Sequence, residues 1–234
     1  MSRPRKPSAI VEPTGPSDLS LALTYIPRTK RSLVADLFAI DAALGNVVRS
    51  TREPMIGRIR LAWWRDRLIE IDGGIVHAEP NLEAAARIVA ETALTGAILA
   101  GLAERWDPLL DDFPWESEVF GAIAGRGAIL FGHAGLMLAA DDPGIVQASV
   151  AGSLWALLDV ARHCSDADSR DVIFDVGTDF LDKFAGGPVE MAVRPLTMLG
   201  LLARRDLKRW PRLEAEATPA RAWAMIHHKL TGKL

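Results

Sequence analysis

Apolar residues recur along this chain at helical intervals. Leu33, Leu37, Ile40, Leu44 and Val47 follow at spacings of four, three, four and three, which places them on one face of a helix from about Lys30 to Arg49. Ser17 can cap an earlier helix, from Asp18 to about Ile26, that Pro27 ends. Pro54 suits a first-turn position, where its missing N–H costs nothing. The helix it opens runs to Asp72 and stops at Gly73-Gly74. Asn81 can cap a long Ala-rich helix to about Trp106, and Pro108 and Pro114 then bracket a loop. Further helices are predicted from about Trp115 to Ala140, Gly144 to Cys164, Ser169 to Ala185 and Val189 to Trp210, and Pro219 opens a short last one. Alternating strand patterns are nearly absent. The expectation is a single all-α helical bundle of about nine helices.

Composition sharpens this picture. With 234 residues, 49% of them hydrophobic, the chain is long enough for one domain with its own core. We divide it into a mobile tail over 1–16, a helical domain over 17–210, and a linker with a short helix over 211–234. The segment Pro211–Pro219 would let that last helix pack independently. The tail carries four prolines with Arg3, Arg5 and Lys6, and lacks the apolar core of a secretory signal. Those prolines also argue against an amphipathic transit helix. A net charge of −3 gives no footprint for nucleic acid. One cysteine, Cys164, cannot form an internal disulfide, so a reducing, cytoplasmic compartment is expected. No stretch approaches the ~20 apolar residues of a membrane span. The most apolar region, Gly121–Ala140, is interrupted by Arg126 and His133 and reads as a buried helix. Peripheral membrane contact remains compatible with the basic tail and with the Trp/Arg helix. Glycines at 96, 101, 121, 125, 127, 132 and 135 fall inside predicted helices, where each costs roughly 1 kcal/mol against Ala, so several need a packing or cavity reason.

The densest chemistry lies in Glu53-Pro54-Met55-Ile56-Gly57-Arg58-Ile59-Arg60-Leu61-Ala62-Trp63-Trp64-Arg65-Asp66. With the Ala39-Ile40 pair before it, this segment resembles the squalene/phytoene synthase family. A weaker match runs from Gly152 to Arg162 and continues into Arg170-Asp171-Val172-Ile173-Phe174-Asp175. The resemblance covers about Asp18 to Ala203. It implies an isoprenoid-synthase-like bundle that condenses two isoprenoid diphosphates between two facing Asp-rich helices. Carboxylates at i and i+4 share a helix face and would hold Mg²⁺, which neutralises the departing diphosphate.

On this chain those motifs are eroded. The first falls on Gly45-Asn46-Val47-Val48-Arg49, which has no carboxylate, and Arg49 puts a positive charge where the last metal ligand would be. The second leads through Asp159 and Arg162 into His163-Cys164-Ser165-Asp166-Ala167, where only Asp166 survives. This resembles the non-catalytic branch of the family, which includes the mitochondrial complex I assembly factor. What the resemblance implies is a binding or assembly scaffold, with an isoprenoid or lipid ligand and respiratory-complex subunits or assembly factors as partners. No cofactor is expected, and Mg only if catalysis persists. The alternatives are an active Mg-dependent prenyl transferase with displaced carboxylates, including Asp36 and Asp41, and a generic helical interaction module.

Other residues have plain readings beside sharp ones. Trp63 and Trp64 could line a prenyl pocket, but adjacent helical residues point about 100° apart and only one can be fully inside. Arg58, Arg60, Arg65 and Arg67 could contact an anion, or form a solvated face paired with Asp66 and Glu70. Asp168, Asp171, Asp175, Asp179 and Asp182 make an acidic stripe that is the best remaining metal candidate or, more simply, a solvated face. Asp111-Asp112 and Asp141-Asp142 read as turn residues. His227-His228 lacks zinc-ligand spacing. Gly125-Arg126-Gly127 is no phosphate loop, having no strand before it. Cys164 reads as an inert thiol, and His163 as structural or a pocket remnant.

Overall fold

The structure is a computed structural model describing residues 17–184 and 189–233, apart from the side chains of Asp182 and Lys183. The tail proposed over 1–16 and the Asp182 end of the acidic stripe lie outside them. The described residues form ten α-helices and no strand.

The first three helices follow the sequence pattern closely. α1 (Asp18–Thr24) starts at a capping box in which the Ser17 and Ser20 side chains each bond the other's backbone N–H. α2 (Arg28–Ser50) buries Leu33, Leu37, Ile40, Leu44 and Val47, the predicted stripe. α3 (Pro54–Glu70) has Pro54 in its first turn and buries Gly57, Leu61, Trp64 and Leu68. Gly74, at φ 80°, closes the 3-10 turn that follows.

The long Ala-rich helix is two helices. α4 (Pro80–Glu91) is capped by Glu79, whose carboxylate accepts the Leu82 N–H, not by Asn81. It ends because the Thr92 hydroxyl donates to the Ile88 carbonyl and accepts the Leu94 N–H, which turns the chain. Thr95 then caps α5 (Gly96–Trp106). Local side-chain bonds here outcompete a continuous apolar period.

α6 (Ser117–Met137) and α7 (Asp142–His163) form the central pair. Their closest approach is at two glycines: a Cβ on Gly127 would stand 1.9 Å from the Gly152 oxygen, and one on Gly152 would stand 2.1 Å from the Gly127 oxygen. That is the packing reason for these glycines. By length and composition both helices are long and apolar enough to cross a membrane, but 67% of the α6 window and 61% of the α7 window are buried inside the bundle, in keeping with the buried helix expected over Gly121–Ala140.

α8 (Ala167–Phe184) is followed by α9 (Arg194–Leu207), which starts later than the predicted Val189. Pro195 lacks an N–H and belongs in a first turn, which fixes that start. α10 (Pro219–Thr231) does not pack independently. Its buried Arg221 donates to Asp18 of α1 and Asp206 of α9, joining the two ends of the bundle.

Candidate functional site

α2, α7 and the loop after α5 enclose a cleft of about 470 Å³. Asn46, Arg49 and the following Ser50 to Arg52 line one wall. Asp159, Val160, His163 and Cys164 line another, and the apolar side chains of Trp106, Leu109, Phe113 and Trp115 also line the cleft. Asn46 and Arg49 of one stretch singled out in the sequence and Asp159, His163 and Cys164 of the other therefore line one cavity. Its size and mixed lining are those of a small-molecule site.

Gly45 shapes the first wall. A Cβ there would stand 2.8 Å from both the Arg49 Nη1 and the Trp106 ring. Arg49 lies back along α2 over this glycine, and Nη2 points at the Ala42 carbonyl at 3.4 Å.

Beneath the cleft runs a buried charge chain. Trp106 Nε1–H donates to Asp41 at 2.9 Å, Arg126 Nη1 donates to the other Asp41 oxygen at 2.8 Å, and Arg126 Nη2 donates to Asp159 at 2.9 Å. The Arg126 guanidinium also stacks on Trp106, 4.1 Å from the ring centre, and faces Trp155 at 5.3 Å. Burial pushes the Asp41 carboxyl above its usual range. Arg126 and the Trp106 N–H oppose that, and the nearby Asp159 charge adds to it.

The other mapped positions do different work. Arg162 turns away from the cleft to bond the Glu214 carbonyl and the Asp206 carboxylate. Asp166 accepts the Ser169 N–H at the start of α8, and that bond holds its carboxyl below the usual range. It is a helix cap. Cys164 is buried, which raises its thiol pKa, as expected of an inert thiol. The His163 ring bonds the Asp159 carbonyl at 2.7 Å.

Most of the remaining candidates stand off the cleft wall. Arg58 pairs with Asp107 and Asp111, not with Asp66 or Glu70. Arg60 donates to the Ser50 and Thr51 hydroxyls. Arg65 pairs with Asp66, and Arg67 with Glu70. Trp64 is 9% exposed and Trp63 44%, so one of the pair faces in and one faces out. Asp171, Asp175 and Asp179 are exposed on α8 and are not on the cleft. Among the described residues no three carboxylate, His or Cys side chains gather as a metal site. Asp36 pairs with Arg87. Asp111 and Asp112, read as turn residues, do line the cleft.

Sequence reading passed over Arg126, which it took as an interruption in an apolar helix. The available signal was that same interruption. A lone arginine inside an apolar stretch needs buried counter-charges, and Asp41 and Asp159 are those.

No protein-family model matches the chain, and no curated protein does. A solved crystal structure of a dehydrosqualene synthase in complex with ligand matches it with a TM-score of 0.64, over 91% of this chain and 90% of that one, at 12% identity. The likeness is one of fold. This is an all-α bundle with an isoprenoid-synthase-like fold.

Proposed function

We propose that this chain is a binding protein on an isoprenoid-synthase-like fold that has lost the diphosphate chemistry. Its cleft would hold an isoprenoid-like or other lipid ligand. The observation that carries this reading is the state of Asp159. It is the one carboxylate from the two mapped motifs on the cleft wall, and Arg126 already engages it. Mg²⁺ needs several oxygen ligands in near-octahedral order. The first motif offers Asn46 and the cationic Arg49 instead, which repels a divalent ion. The rival reading, an active transferase with displaced carboxylates, would use the acidic stripe with Asp36 and Asp41; Asp171, Asp175 and Asp179 face solvent away from the cleft, Asp36 pairs with Arg87 and Asp41 with the buried Arg126.

The test is incubation with farnesyl or geranylgeranyl diphosphate, with and without Mg²⁺. The proposal expects no diphosphate release, and quenching of tryptophan fluorescence by a farnesyl compound that does not depend on Mg²⁺. Mg²⁺-dependent diphosphate release overturns it. From the resemblance of the two motifs we extend the proposal to a scaffold serving a respiratory complex. Affinity capture that returns no respiratory-complex subunit or assembly factor removes that extension.

A further inference from the structure

α3 is apolar on two faces. The inner one is Gly57, Leu61, Trp64 and Leu68, buried in the bundle. On the opposite side Ile56, Ile59 and Trp63 recur at three and four residues, with Met55 beside them. These four are 47%, 62%, 44% and 66% exposed. Single exposed apolar residues are ordinary, but four large ones on three turns of one helix are a patch that calls for a partner.

The charges at its edge indicate which kind. Arg58 is neutralised by Asp107 and Asp111, Arg65 by Asp66, and Arg67 by Glu70. Arg52 precedes the patch and Arg60 flanks it. Among the described residues Arg60 meets the neutral hydroxyls of Ser50 and Thr51 and no carboxylate. A solvent-facing indole, aliphatic side chains and flanking arginines suit the boundary between headgroups and acyl chains, where the rings and stems enter and the cations stay with phosphate. Arg52, three residues before Met55, also lines the cleft.

We propose that the outer face of α3 docks on an anionic lipid surface, with Met55, Ile56, Ile59 and Trp63 inserted, Arg52 and Arg60 at the phosphates, and the cleft beside the docked face. The docking does not depend on the cleft being a binding site.

The experiment is co-sedimentation of the full chain with phosphatidylcholine vesicles, with and without phosphatidylglycerol. Binding is expected to require phosphatidylglycerol and to weaken with salt. Arg52→Gln and Arg60→Gln should each weaken it about five-fold. The triple variant Ile56→Ser, Ile59→Ser, Trp63→Ser should weaken it at least ~10-fold, with an unchanged circular dichroism spectrum. Lipids brominated on the acyl chain should quench Trp63 fluorescence, and Trp63→Phe should lose that component. Vesicle binding unchanged in the triple variant overturns the proposal. So does no binding to either vesicle. A wild-type dimer that the triple variant converts to monomer, without any vesicle binding, assigns the face to a second copy instead.

Discussion

Arg126 reaches Asp159 across the α6–α7 interface at 2.9 Å, and in doing so occupies one of the carboxylates on the cleft wall. The arginine is buried, while Asp159 keeps a quarter of its side chain accessible. The pair thus couples the floor of the cleft to the centre of the bundle.

Removing that arginine should be costly. Arg126→Ala leaves the buried Asp41 without its counter-charge, and we expect a loss of about 3–5 kcal/mol in urea unfolding. Arg126→Met with Asp41→Asn should recover most of it, since Asn can still accept the Trp106 N–H and Met fills the stem. Equal destabilisation of the single and double variants would show that lost charge pairing is not the cause.

Glycines on the two sides of this question should behave oppositely. Gly127→Ala or Gly152→Ala places a methyl against backbone and should cost at least about 1–3 kcal/mol. Gly101, in α5, has nothing within 4 Å of its added Cβ, so Gly101→Ala should be neutral or stabilise by up to about 1 kcal/mol. Thermal unfolding of the three variants separates the two cases.

The cleft wall is open to a direct probe. Gly45→Ala should displace Arg49 and the Trp106 ring together, changing the protein's tryptophan emission and weakening any ligand bound there. Arg49→Gln should alter binding of anionic amphiphiles more than that of neutral ones. If both variants bind farnesyl diphosphate and farnesol as the parent does, the cleft is not the binding site.

Stability should fall on mild acidification. His228 is buried, its Nε2 accepting from the Thr197 hydroxyl and its Nδ1–H donating to the Lys233 carbonyl at 2.8 Å each. Burial lowers its pKa, outweighing the Lys233 bond, which raises it, and the charges of Arg194, His227 and Lys229 add to the lowering. Burial also lowers that of His133. Well above about pH 6.5 neither state binds the proton and the stabilisation is complete. Below it the unfolded chain takes up the proton first, so stability declines as the pH falls toward the folded value. Urea unfolding across this range should show the slope, and His228→Asn should make it shallower.

The sequence alone determined the helices, because their signals are local. The stripe of α2, the prolines opening α3 and α10 and the Ser17 cap all act within a few residues, and each is found where its pattern placed it. It also identified the stretch around Asn46 and Arg49 as poor in carboxylates, since that is a matter of composition. The break between α4 and α5 escaped it because two threonines compete with the helical period through their own hydrogen bonds. What only the tertiary structure decided is which charges meet. Arg126 and Asp41 are 85 residues apart and Arg221 and Asp18 are 203 apart, and no periodicity spans such distances. Burial makes these partners specific: in a low-dielectric interior an arginine must find a carboxylate, and the fold alone determines which one is in reach.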